Sequence, residues 1–202
     1  MHYGINAGVY GWAFTKMLKD YYRGSGLDLK ASFRDLKKEY RQMVERTPGI
    51  GGSSNEDNLI GACYFFAMAK TIPGMTPEKM DDIIEKSIKS DFMVRLHRGK
   101  KKKGTLFSEK EQNKKLAEAK KSHGSPFEMD WEFTYEPGEN EFYLTYTRCG
   151  ICRLAEREHM EDYLPCMCRM DFPKYELIGG KLIRSKTLAA GDDCCNFHVV
   201  RE

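Results

Sequence analysis

The strongest constraint on this fold is a change of hydrophobic period near Phe127. Upstream, apolar side chains recur every three or four residues. From there onward, Phe127, Met129, Trp131, Phe133 and Tyr135 alternate with Glu128, Asp130, Glu132 and Thr134. The first spacing lines one face of a helix and the second lines one face of a strand with a wet reverse side. The chain therefore reads as α+β: N-terminal helices packed on a four-stranded antiparallel sheet in the order β-β-α-β-β.

The helical part divides at its turn residues. Tyr10, Phe14, Met17, Leu18 and Tyr21 form one stripe over residues 7–23, ended by Gly24-Ser25-Gly26. Asp28 is placed to cap a second helix whose buried face is Leu29, Phe33, Leu36, Tyr40, Met43 and Val44, stopping near Pro48-Gly49. A glycine turn through Gly51 and Gly52 leads to Asn55 and a helix from Leu59 to Ala69 that is apolar on most sides. Thr76-Pro77 opens a fourth helix carrying Met80, Ile83, Ile84 and Ile88. The basic run Arg98 to Gly104 reads as a solvated loop. Ser108-Glu109-Lys110-Glu111 is a capping box opening a surface helix, Lys110 to Lys121.

In the sheet half, Pro137-Gly138-Glu139-Asn140 turns a first strand, begun at Phe127, into a second, Phe142 to Thr147. Cys149 to about Leu177 reads as helix in two pieces, with Pro165 in the first turn of the second and Pro173 ending or kinking it. Strands Leu182 to Leu188 and Cys194 to Val200 follow. The reading is a single domain over 1–202: a helical half (1–97), a basic loop and surface helix (98–124) and a sheet half (125–202).

Charge and length narrow the partners. There are 33 basic against 30 acidic side chains, a net charge of +3, which favours neither nucleic acid nor a membrane surface. No apolar run approaches the ~20 residues of a membrane helix, and the N-terminus lacks signal-peptide character. Seven cysteines, an odd number, fit reduced thiols and a cytoplasmic location. Oligomeric state is not legible.

Six of those cysteines lie after residue 148, where thiol chemistry is concentrated. Cys149-x-x-Cys152 and Cys166-x-Cys168 have spacings zinc can use. Both pairs nevertheless fall on expected helices, and Cys194-Cys195 adds more thiols than one tetrahedral ion needs, so no metal and no cofactor are expected. Cys149 and Cys152 can also form a redox pair, though without a βαβ context. Cys168 and Asp171, three apart, share a helix face. Alternation puts Cys195, Phe197 and Val199 on the core side of the last strand, with Cys194, Asn196 and His198 opposite. Cys168, Asp171 and Cys195 are therefore expected to border one pocket.

Three segments together resemble the L-2-amino-thiazoline-4-carboxylate hydrolase family: Pro48-Gly49-Ile50-Gly51-Gly52 with Asn55; Cys168-x-x-Asp171; and Arg184 with Thr187-Leu188-Ala189, followed by Gly191-x-x-x-Cys195-x-Phe197. The last block is also similar to the end of vinyl-reductase-type (4VR) ligand-binding domains. The resemblance departs at Asn196, where the family usually carries Asp. It implies a small-molecule substrate and hydrolytic opening of a cyclic isothiourea to a carbamoylated cysteine. Implied roles are Cys168 or Cys195 as nucleophile, Asp171 for the cationic amidine and Arg184 for the substrate carboxylate. Asn55, Gly51, Gly52 and Thr187 are implied at the binding site. A non-catalytic small-molecule sensor is the alternative of another class, and a zinc-stapled interaction protein a third.

Overall fold

The computed structural model describes residues 1–26 and 29–202, with the side chains of 6, 9, 10, 92 and 96 excepted, so the cap expected at Asp28 and the packing of Tyr10 lie outside the described residues. The helical half comprises α1 (Ile5–Tyr21), α2 (Lys30–Arg46), α3 (Glu56–Thr71), α4 (Pro77–Ile88), α5 (Asp91–Lys102) and α6 (Glu109–Ser122). The rest is β1 (Glu132–Pro137), β2 (Glu141–Arg148), α7 (Gly150–Glu158), α8 (Leu164–Arg169), α9 (Asp171–Ile178), β3 (Gly180–Ile183) and β4 (Cys195–Arg201).

α3 is the hub, because its sequence is apolar around its whole circumference. Every residue from Leu59 to Met68 is buried, and α1, α2 and α7 pack around it. Burying a side chain such as Leu59 or Phe66 contributes roughly 1.5–3 kcal/mol, so this helix carries much of the core. α2 presents Leu36, Tyr40, Met43 and Val44 to it, as its stripe requires. A single apolar cluster runs from these helices to Phe133, Leu144 and Val199 of the sheet.

The sheet order is β1-β2-β4-β3, and all three pairings are antiparallel. Cys195, Phe197 and Val199 are buried, whereas Cys194, Asn196 and His198 are less covered, which is the alternation expected from the sequence.

Four local expectations are corrected. The first strand begins at Glu132, not Phe127; residues 127–130 form a turn in which the Asp130 N–H donates to the Phe127 carbonyl at 3.0 Å, leaving Phe127 39% exposed. The basic run is not a loop but the last turns of α5, capped at its start by Ser90. Lysine is a good helix former, and cations at a helix C-terminus meet its negative end. Helix 149–177 breaks into three pieces, α7, α8 and α9. Pro173 is the third residue of α9, where a missing N–H costs nothing. β3 stops at Ile183 instead of reaching Leu188, because the Ser185 and Lys186 amides turn to bond Asn196 Oδ1 at 3.1 and 2.6 Å.

Two polar anchors fix the elements that matter for function. Gln112 of α6 is buried and donates to the Phe107 and Gly138 carbonyls at 3.1 and 2.9 Å, so this charged helix is docked by hydrogen bonds alongside the small apolar contact of Leu116 and Ala119. Glu158 at the end of α7 accepts from Arg46 of α2 (2.8 and 2.6 Å) and from Lys70 of α3 (2.6 Å). That network seats α7, and with it Cys149, against the helical half.

Candidate functional site

The site is organised by one arginine. Arg184 follows β3 directly, and its side chain is only 4% exposed. Its Nη1 donates to Asp171 Oδ2 at 2.9 Å and its Nη2 to the Cys168 carbonyl at 2.8 Å. The guanidinium also lies over the rings of Phe172 and Phe197, at 5.0 and 4.9 Å from their centres. One side chain thus ties the end of α8, the start of α9 and the core strand β4 together.

Cys168 and Asp171 are on consecutive helices, not one, yet Arg184 holds both. Asp171 keeps 24% of its side-chain surface accessible, and its Oδ1 accepts no hydrogen bond among the described residues. Burial pushes its carboxyl pKa up, against the opposing charges of Lys174 and Arg184.

The thiols around it are quiet. Burial pushes Cys168 up to about 12, opposed by Arg184 and reinforced by Asp171. Cys195 is pushed up to about 11 by burial, although the Leu188 N–H donates to its sulfur at 3.2 Å and favours the thiolate. Cys149 is held well above its ordinary value, first by its hydrogen bond with Cys152 and then by burial. Cys168 feels the charge states of Cys149 and Cys195, and Cys195 feels those of Cys149 and Asp171, so these groups form one electrostatic cluster. All seven cysteines are free thiols. Among the described residues, no three His, Cys, Asp or Glu side chains converge as a metal site.

The sequence reading missed Tyr146 and Tyr175. Tyr146 pairs with Cys195 across β2 and β4 and meets Phe197 edge-on at 5.3 Å; Tyr175 of α9 lies 6.3 Å from Phe197. Burial raises both phenols, and Asp171 raises them further. Alternation from Phe142 and Leu144 points Tyr146 to the core face, so that signal was available. Nothing local in the sequence marks Tyr175.

The other residues implied by the resemblance stand apart from Arg184. Asn55 braces its own turn: its N–H donates to Ser53 Oγ at 3.3 Å, and its Oδ1 accepts from Asn58 at 3.2 Å. Gly51 and Gly52 have φ of +63° and +71°. A β-carbon on Gly51 would collide with the ring of Phe127. Among the described residues, no hydrogen bond or ion pair joins these three to the Asp171–Arg184 pair. Gly51→Ala is therefore expected to destabilise the fold by about 1–3 kcal/mol in chemical denaturation. An unchanged midpoint would show that the turn tolerates the methyl. Thr187 has an indirect connection. Its Oγ1 accepts from Ala190 N at 3.2 Å and its N–H donates to Asp192 at 2.8 Å, shaping the turn that aims the Leu188 amide at Cys195.

Asn196 sits on the opposite face of β4 from Cys195. Besides accepting from Ser185 and Lys186, it donates through Nδ2 to Ser185 Oγ at 3.0 Å. A carboxylate would accept the same two amides, with the serine hydroxyl turned to donate. The position holds a loop and does not face the thiols. Asn196→Asp should therefore leave turnover within about threefold of the parent, well below the 10²–10⁴-fold scale of losing an acid or base. A larger change in a steady-state assay would place this side chain in the chemistry.

An antiparallel α+β fold with a buried arginine–carboxylate pair, ringed by protonated thiols and phenols, defines a protein built around a desolvated polar centre. The chain belongs to the L-2-amino-thiazoline-4-carboxylic acid hydrolase family, whose model matches residues 55–199. The match takes in Cys168, Asp171, Arg184 and Cys195, and leaves α1, α2, Gly51 and Gly52 outside it. No match was found among curated proteins or solved structures. Among the described residues, no helix is long and apolar enough to cross a membrane.

Proposed function

We propose that this protein hydrolyses a small cyclic amidine, L-2-amino-thiazoline-4-carboxylate or a close relative, at the centre organised by Arg184. The observation that carries the reading is the free, poorly solvated Oδ1 of Asp171, held in place by a buried guanidinium. A cationic amidinium is the natural partner for such an oxygen.

In this reading Asp171 meets the protonated ring amidine and takes a proton from water as it adds to the carbon between sulfur and the two nitrogens. The tetrahedral adduct collapses by breaking the carbon–sulfur bond. The proton on Asp171 goes to the departing sulfur, and the proton of the new hydroxyl is lost to solvent as the carbonyl forms, giving N-carbamoyl-cysteine with one water consumed and the amidinium's proton released. A carboxyl pKa raised by burial makes a stronger base than an ordinary aspartate, which suits this step.

Arg184 takes a different part from the one the resemblance implies. At 4% exposure, with donors committed to Asp171 and the Cys168 carbonyl, it positions the base and does not clamp the substrate carboxylate. Lys174, whose charge reaches Asp171 from the same helix, is the better cation for that carboxylate. Cys168 and Cys195 line the centre as neutral thiols. Their raised pKa values favour direct attack by water over a thiolate nucleophile.

The test is incubation of purified protein with L-2-amino-thiazoline-4-carboxylate, following ring opening by proton NMR. Accumulation of a ring-opened carbamoyl product in excess over protein is expected. Saturable binding without turnover would favour a non-catalytic sensor.

A further inference from the structure

A second site lies in the helices outside the family match. α1, α2 and α3 enclose a groove of about 560 Å³, within the range of small-ligand pockets. Its floor is aromatic. Tyr40 and Tyr64 meet edge-on at 5.2 Å, and the Tyr64 hydroxyl hydrogen-bonds Thr15 Oγ1 at 2.9 Å. α1 comes close enough to form this floor because Gly11 faces Tyr40: a β-carbon there would sit 2.8 Å from the ring. Trp12 stands at the wall, 67% exposed.

The rim is cationic. Lys16, Lys19, Lys37 and Arg41 line the groove, and no carboxylate does. In a chain whose net charge is only +3, this is a local departure from balance. Three of the four have local company. Lys16 reaches Asp20 at 3.4 Å, Lys19 lies over Phe33 and Arg41 over Tyr3. Lys37 has no ion-pair partner among the described residues. An indole left in water beside four cations, of which Lys16 alone has a carboxylate partner among the described residues, marks a surface suited to a ligand that offers both a ring and a negative charge.

We propose that this groove binds a small organic anion bearing a flat ring, with the ring against Trp12 and Tyr3 and the anionic group between Lys37 and Arg41. A phosphate and a carboxylate supply the same charge, so two probes separate them: adenosine monophosphate and phenylacetate. The site shares no residue with the Arg184 centre, and its test does not depend on the hydrolase reading.

Fluorescence reads it directly. The chain has two tryptophans, and Trp131 is buried at 6% exposure, so quenching by a ligand reports Trp12. With excitation at the red edge of the indole band, at least one of the two anions should quench saturably. It should bind about tenfold or more tighter than its uncharged counterpart, adenosine or benzyl alcohol. The double charge reversal Lys37→Glu with Arg41→Glu, at exposed positions, should weaken binding about tenfold or more, and added salt should weaken it in the parent. Lys100→Glu, on α5, should change nothing, and Trp12→Phe should remove the signal while calorimetry still detects binding. The proposal is overturned if neither anion saturates below millimolar concentration. It is also overturned if inorganic phosphate binds as tightly as adenosine monophosphate, or if the double reversal binds as the parent does.

Discussion

Asp171→Asn is expected to lower kcat/KM for thiazoline opening by roughly 10²–10⁴-fold, the usual cost of losing a positioned acid or base. The amide preserves size and can still accept from Arg184 Nη1, so a loss of this order reads the carboxylate's chemistry and not its packing. The pH profile gives a second readout. Asp171 works as a base in its ionised form, so activity should fall as pH drops through its pKa. Because burial raises that pKa, the acid limb should lie above the ordinary 3.8. In Asp171→Asn the limb should vanish. Near-parent activity in the variant, or an acid limb that survives the substitution, would remove Asp171 from the reaction.

The same assay decides the thiols. With pKa values of about 12 and 11, Cys168 and Cys195 are almost wholly protonated at neutral pH. The more acidic of the two supplies roughly one thiolate in ten thousand. Water attack therefore predicts that Cys168→Ser and Cys195→Ser each keep turnover within about tenfold of the parent. Collapse of activity in either one, with the fold intact, would favour thiol attack, the proton then passing to Asp171 as the cationic substrate arrives.

What could be read from the chain depended on whether the information was local. The periods around α2, α3 and α4 and the alternation along β4 are local, and they gave both the fold class and the inward face of Cys195. The glycine-rich and capping turns at Thr76-Pro77 and Ser108 were equally plain. The break at Met170 was not, because α8 and α9 meet at a residue with ordinary helical angles and no glycine. Arg184 was singled out by resemblance, but its partners were not legible, since they come from α8 and α9 across a fold that sequence spacing does not encode. Asn55 was legible as a residue at a helix start, and its polar atoms bond within its own turn.

Glu158 belongs to the illegible part, since its partners are 112 and 88 residues away, and it yields the largest stability prediction. Hydrogen bonds from Arg46 lead in holding its carboxyl at about 2, down from 4.5, with Lys70 assisting against the cost of burial. A shift of that size corresponds to roughly 3 kcal/mol. Arg46 is 36% exposed and Lys70 27%, so screening brings the expected contribution to about 2 kcal/mol. Because the folded pKa is depressed, this stabilisation is complete above about pH 4.5 and drains away as pH falls toward 2. Glu158→Gln should then lower Tm at pH 7 by about 4–8 °C for a chain of this size. The gap between parent and variant should narrow at pH 3, since the unfolded parent is protonated there while the folded parent still holds its charge, so part of the linkage is already lost, and the variant has none to lose. Equal melting at pH 7, or a gap as wide at pH 3, would mean that the carboxylate's charge is not what seats α7 on α2 and α3.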